Sequence, residues 1–172
     1  NVTTAKVADH SHMNKLLRQA KRDSDFTIQI LSIPTDKLTF GACTDASWGI
    51  RLDGSSQGGM LIFGCDNKLF DGMNSPMSLM DWKSWALKRV CRSSLSAESQ
   101  AAADTVDTLS FVRLFAADYI LAPGVDLRKT DKVLNLVPQS IIVTDCKSLY
   151  DALARSESQG LGLAEKRTAI EV

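Results

Sequence analysis

The stretch Leu38-Thr-Phe-Gly-Ala-Cys-Thr-Asp-Ala-Ser-Trp48 decides how the rest of the chain is interpreted. Small and apolar residues dominate it and polar residues close it, a pattern that predicts a strand beginning at Leu38. Because side chains alternate between the two faces of a strand, we expect Cys43 and Asp45 to share one face near its end. Asp53-Gly54 then predicts a turn.

Further extended segments follow this first strand. Gly59 to Cys65 predicts a second strand and Asp66-Asn67 a turn. Leu69-Phe70 and the run from Met77 to Trp85 predict one or two more strands. Such short segments, separated by turn residues, favour an antiparallel meander.

The pattern changes to a long helix from Leu95 to Leu121, after Ser93-Ser94 as candidate caps. Its apolar residues recur every three or four positions, at Ala102, Val106, Leu109, Val112, Ala116 and Ile120. The composition of Pro123 to Pro138 predicts a loop. Ser140 to Asp145 is a short β-branched run, which predicts a strand buried on both faces, parallel to the first and followed by a helix through Leu149 and Ala154.

The chain of 172 residues has the size of one domain. Residues 1–37 predict an N-terminal helix up to Arg22 and then a short strand or extended arm ending at Pro34. Residues 38–172 predict a mixed α/β domain: three antiparallel strands, a long helix and a buried parallel strand. A last helix is expected to begin at Ala164.

The amino-acid composition excludes several classes of function. Twenty basic and twenty acidic side chains give a formal charge of zero, so polyanion binding would need a local patch. Four cysteines without a C-x-x-C pair exclude a zinc ribbon and favour an intracellular, reducing compartment. No apolar run is long enough to predict membrane insertion. The first residue, Asn1, indicates a piece of a longer precursor.

Three acidic residues lie where a solvated charge would be out of place. Glu98 stands four residues before Ala102 and so continues the apolar stripe of the long helix, while Asp45 and Asp145 each end a strand. Buried carboxylates are costly unless a partner or a cation compensates them. A site whose ligands are all oxygen atoms favours Mg²⁺ or Mn²⁺ over zinc. Turn and cap roles for the aspartates, and a helix-dipole role for Glu98, are the structural alternatives.

The same residues resemble a known family, the ribonuclease H domain of copia-class LTR retrotransposon polyproteins. The similar motifs are, in order, Thr44-Asp-Ala-Ser-Trp48, Trp82-Lys-Ser84, Ser93-Ser-Leu-Ser-Ala-Glu98 and Thr144-Asp-Cys-Lys-Ser-Leu149. The likeness spans residues 38–172 and implies an RNase H-like fold, with Asp45, Glu98 and Asp145 as the catalytic, metal-binding residues. The chain departs from the family at Trp85-Ala-Leu87, where the family has Lys-Lys-Gln, and at Ser96, where it has Glu.

The resemblance also implies a substrate. Family members hydrolyse the RNA strand of an RNA/DNA hybrid with two divalent metal ions, and helix shape and 2′-hydroxyls guide their binding. In this chain the candidates for contacting nucleic acid are Lys83, Lys88, Arg89, Arg92, Ser93 and Ser94. A solvated basic edge is the alternative for the four cations.

A fourth carboxylate completes the family's site, on a helix that follows a last strand. This chain ends at Val172, before both elements, and Glu171 resembles an acid of the preceding helix instead. The sequence therefore leaves a second function open, a catalytically inactive RNase H-like fold acting as a structural or partner-binding subunit. In either case a protein partner covering the open sheet edge is expected. An integrase-like nuclease is a further alternative, which the Ser93 to Glu98 motif fits less well.

Overall fold

The computed structural model of the chain describes residues 6–121 and 126–154. Its centre is a mixed four-stranded sheet in the order β3-β2-β1-β4. The strands are β1 (Leu38–Ser47), β2 (Gln57–Asp66), β3 (Met77–Ala86) and β4 (Ile141–Val143). The helices are α1 (Val7–Arg22), α2 (Ser94–Leu121), α3 (Thr130–Leu134) and α4 (Lys147–Ala154). The expected mixed α/β class, with three antiparallel strands and one parallel strand, is confirmed.

The meander forms as the sequence predicts, with one difference between β2 and β3. β1 pairs with β2, and β2 with β3, both antiparallel. The expected extended segment at Leu69-Phe70 is wrong, since both residues lie in a 3-10 helix, Asn67–Asp71. Turn chemistry decides this segment: the Asp66 side chain accepts the Lys68 backbone N–H, and Gly72 ends the turn at a φ of 72°.

α2 packs against one face of β1 and β2 and forms the main core with them. Phe40 and Ala42 of β1 meet Ile62 of β2 and Leu109 of α2 in this core. Because strand side chains alternate, the face that carries Asp45 points away from α2. Asp45, which is exposed, therefore alternates along β1 with the residues that anchor the helix.

The buried line of α2 follows the predicted apolar stripe at Leu109, Val112 and Ala116 and departs from it elsewhere. Val106 and Ile120 are exposed, whereas Ala101 and Thr105 are fully buried. Thr105 can fill a core position because its hydroxyl forms hydrogen bonds with both the Ala101 carbonyl and the Thr44 hydroxyl. Glu98 lies on the same buried side, as the sequence predicts.

β4 pairs in parallel with β1, through Gly41 opposite Ile141 and Cys43 opposite Val143. Its expected burial on both faces is wrong: Ile142 is 38% and Val143 46% exposed. β4 is the edge strand of the sheet in the described residues, and α2 covers β1 and β2 instead of β4. The β-branched run therefore forms the predicted strand, but that strand is not buried on both faces as predicted.

The connection from α2 to β4 contains a helix that composition does not predict. Within the expected loop, α3 places Val133 and Val137 against Ala117 of α2. Val133 belongs to α3 and Val137 to the bend that follows it, and the burial of both valines holds this connection against α2 despite the polar residues around them. Arg113 donates to the carbonyls of Leu134 and Pro138 and ties the connection to α2.

The N-terminal segment lies largely outside the core. None of the sixteen residues of α1 is buried. The arm that follows contains no strand between residues 26 and 34 and is fixed to β3 where the Leu31 N–H donates to the Ser78 hydroxyl. The predicted helix from Ala164 and the candidate Glu171 fall outside the described residues. Across residues 6–121 and 126–154, every helix is too short or too polar to span a bilayer.

Candidate metal centre

Three carboxylates from separate elements converge at one end of the sheet. Asp45 stands near the end of β1, Glu98 in the first turns of α2, and Asp145 in the link between β4 and α4. One oxygen of each lies within 4.8 Å of the corresponding oxygens of the other two. The parallel pairing of β1 with β4 explains the convergence, because it brings the ends of both strands to the same edge.

Glu98 is the buried member of this carboxylate cluster. Its side chain is 7% exposed, whereas Asp45 and Asp145 are both solvent-exposed. The Ala46 backbone N–H donates to the Glu98 carboxyl group. The second oxygen, Oε2, is buried and has no hydrogen-bond partner among the residues that the structure describes. A buried carboxylate oxygen without a donor is costly, so this atom favours a bound cation or a proton.

Burial and neighbouring charge act on the protonation of the cluster. Desolvation, and to a lesser extent the negative charges of Asp45 and Asp145, together raise the pKa of Glu98 from 4.5 to about 7. The hydrogen bond from Ala46 opposes this rise. A divalent cation would reverse the balance, because it compensates all three negative charges at once.

The geometry fits a hard divalent cation. Oxygens bound to one octahedral Mg²⁺ are about 3 Å apart when adjacent and about 4 Å apart when opposite, so rotation of the side chains towards one another would let the cluster share one ion. Carboxylate oxygens without thiolate or imidazole ligands suit Mg²⁺ or Mn²⁺. The residues present therefore fit the metal that the sequence predicts.

Local hydrogen bonds position Asp145 at the strand-to-helix junction. The Thr144 hydroxyl accepts the Cys146 backbone N–H, and the Cys146 carbonyl accepts the N–H of Tyr150 in α4. Thr144 therefore forms a local turn that precedes α4, while the Asp145 side chain lies in the cluster.

Contacts that the sequence does not reveal hold the cluster together. The Thr44–Thr105 hydroxyl pair joins β1 to α2, with 3.2 Å between the oxygens. The Trp48 indole N–H donates to the Cys91 carbonyl and joins the end of β1 to the segment before α2. Contacts made by backbone donors and by pairs of threonines leave no motif in the sequence. A threonine between apolar positions of a helix is, however, a signal that could indicate such a contact.

The candidate nucleic-acid contacts divide into two places. Five of them stand in the segment from the end of β3 into the start of α2: Lys88, Arg89, Arg92, Ser93 and Ser94. Ser93 has a structural task there, since its hydroxyl accepts the Ser96 backbone N–H. Lys83 lies on β3, where its amine sits 5.1 Å from the centre of the Trp85 ring. The structure therefore places the first five in the segment that leads to Glu98, and Lys83 on the other side, among the residues that line a groove together with Asp45.

A shallow groove opens from the cluster across the free face of the sheet. It has a volume of about 380 Å³ and runs from Asp45 over Gly59 to Ser84. Cys43, Leu61 and Trp82 line its apolar side. Gly59 leaves the floor open because only the Asp45 carbonyl oxygen lies near the place of a Cβ atom, 3.9 Å away. Room for a substrate therefore exists directly beside the carboxylates.

No protein-family model, curated protein or solved structure matches this chain. Its function is therefore argued from the site itself.

Proposed function

We propose that the chain is a metal-dependent phosphodiester hydrolase of the RNase H type, which cleaves the RNA strand of RNA/DNA hybrids. One observation carries the proposal: Glu98 presents a buried, partnerless carboxylate oxygen, among the described residues, to two exposed aspartates within 4.8 Å. A purely structural acid in this position would be expected to have a donor for each buried oxygen. The sequence resemblance supports the same activity.

The chemistry follows from the donor set. Asp45, Glu98 and Asp145 would hold Mg²⁺ or Mn²⁺, which lowers the pKa of bound water and stabilises charge on a phosphate and its leaving oxygen. Asp45 and Asp145 face solvent, so their oxygens are accessible to a substrate phosphate. Glu98 is held by α2 and by Ala46, so it fixes the inner side of the site.

Substrate contacts are expected on both sides of the cluster. The segment that carries Lys88 and Arg92 leads into α2 beside Glu98, and both side chains are exposed. Cations there would contact phosphates without reading sequence. The groove over Gly59 gives the backbone of a bound strand space on the other side. Recognition by shape and 2′-hydroxyls suits this arrangement.

Cleavage of a labelled RNA/DNA hybrid in Mg²⁺ or Mn²⁺ tests the proposal. We expect wild-type protein to cut the RNA strand and to leave single-stranded RNA and duplex DNA intact. Asp45→Asn and Asp145→Asn should each reduce the rate by more than the roughly 10–100-fold that changes outside the first ligand shell cost. Each substitution keeps the shape of the side chain and removes its charge.

Asp118→Asn is the matched control, because Asp118 is an exposed aspartate of α2 outside the cluster. It should cleave at the wild-type rate. Cleavage that survives both cluster substitutions would show that another nuclease produces it and would contradict the proposal.

A partner-binding role is the second candidate, and exposed aromatic side chains favour it. Phe111, Phe115 and Tyr119 are 70%, 68% and 83% exposed along the outer side of α2. Large exposed aromatic groups in a row are typical of interaction surfaces. Folded wild-type protein that leaves hybrids intact in both metals would favour this candidate.

A further inference from the structure

The contact between α2 and the end of β1 is made at two points, one on each side of Asp45. At the first, the Thr105 hydroxyl donates to the Thr44 hydroxyl over 3.2 Å. At the second, the Ala46 N–H donates to the Glu98 carboxyl group. Asp45 lies between Thr44 and Ala46 in the chain, so both attachments act on the backbone that carries it.

The first attachment is buried and fully bonded. Thr105 is completely buried and Thr44 is 4% exposed. The Thr105 hydroxyl also lies 2.7 Å from the Ala101 carbonyl oxygen. Close approach of helix and strand is possible here because Ala46, Ala97 and Ala101 pack together with little side-chain volume between them.

Helical geometry links this contact to the carboxylates. Thr105 follows Glu98 by seven residues, so both lie on the same side of α2, about 10 Å apart along its axis. A helix fixed at Thr105 cannot slide or rotate against β1 without moving Glu98 relative to Asp45. In metal sites, contacts behind the ligands fix ligand orientation in this way.

We propose that Thr105 is a positioning residue, whose hydrogen bond to Thr44 sets the separation of Asp45 and Glu98 for metal binding. This inference rests on the proposed function, since it assigns a role to the same cluster. Thr105 touches no substrate and acts only through the strand that carries Asp45.

Isothermal titration of the full chain with Mn²⁺ tests the inference. Thr105→Val keeps the volume and removes the hydroxyl, and we expect it to weaken Mn²⁺ binding roughly tenfold. Thr105→Ser restores the hydroxyl and should bind within about twofold of wild type. Thr44→Val removes the same bond from the strand side and should match Thr105→Val.

Thr39→Val is the control for a lost buried hydroxyl. Thr39 lies on the same strand, is fully buried and donates to the Gln139 carbonyl, at the end of β1 away from the cluster. It should bind Mn²⁺ as wild type does, and thermal unfolding of every variant reports its folding. Wild-type affinity in both Thr105→Val and Thr44→Val, or equal weakening in Thr39→Val, overturns the positioning role. Wild-type protein that binds no Mn²⁺ overturns the metal site itself.

Discussion

At the scale of single residues, the protonation of Glu98 gives the metal-free protein a distinct dependence on pH. Its pKa is raised from 4.5 to about 7, chiefly by burial and then by Asp45. Between these pH values the folded state keeps a proton that the unfolded state releases. The free energy of unfolding should therefore fall as the pH rises through this window, by an amount on the order of 2 kcal/mol.

Denaturant titrations in the presence of a chelator, at about pH 5 and about pH 8, measure this loss. Glu98→Gln cannot titrate, so its unfolding free energy should lack this component and change less between the two conditions. Saturating Mg²⁺ at the higher pH should recover stability in wild type and not in Glu98→Gln. A wild type whose difference from Glu98→Gln is the same at both pH values would contradict the raised pKa.

The cluster residues were predictable because each breaks a pattern. An acid in an apolar stripe and two acids at strand ends are visible in the sequence, and the structure brings Asp45, Glu98 and Asp145 together. Thr105 was missed because the periodicity assigned its core position to Val106. Thr105 and Val106 are adjacent in the sequence, and only the hydrogen bond with Thr44 shows which of the two faces β1.

At the scale of the elements, β1 depends on a glycine where Phe63 of β2 crosses it. A Cβ atom at Gly41 would clash with the Phe63 ring and lie 2.9 Å from Cγ2 of Ile141 in β4. Gly41→Ala must therefore displace both neighbours, and we expect it to destabilise the protein by about 1–3 kcal/mol. Thermal and denaturant unfolding measure the change.

Gly59→Ala is the matched control, because the place of its Cβ atom is open apart from a carbonyl oxygen 3.9 Å away. It should be neutral or slightly stabilising, since alanine restricts the unfolded chain. Phe63→Leu in the Gly41→Ala background should recover part of the loss. Equal stability of Gly41→Ala and wild type would show that Phe63 does not pack across β1.

Elements whose own residues show a strong pattern were predictable from the sequence. Elements whose structure depends on packing against other elements were not. β1, β2 and β3 follow alternation and turn residues, and α2 follows its period. The β-branched run of β4 indicates a strand but not its cover, because burial depends on what packs above it. α3 escaped prediction because it is only five residues long and the burial of Val133 depends on Ala117 of α2.

At the scale of the whole molecule, the described chain divides into a core that carries the site and an N-terminal segment beside it. β1 begins at Leu38, where the sequence predicts the main domain to begin. The arm contacts that domain: Ile30, Leu31 and Ile33 line an apolar groove of about 510 Å³ together with Phe115 and Tyr119 of α2. The arm and α1 therefore differ in their relation to the core.

Deletion of residues 1–22 should leave the stability of the core unchanged. α1 buries none of its residues, and its own stability comes from local features: Asp9 accepts the Lys6 N–H, and Lys21 and Arg22 lie at its negative end. We expect the midpoint of thermal unfolding to move by less than about 2 °C, because none of the residues of α1 is buried. Deletion of residues 1–33 also removes the Leu31–Ser78 hydrogen bond and the apolar arm, and it should lower the midpoint by several degrees.

A shorter deletion that destabilises the protein as much as the longer one would show that α1 packs on the core in solution. Unchanged hybrid cleavage in the shorter deletion would show that the activity does not depend on α1.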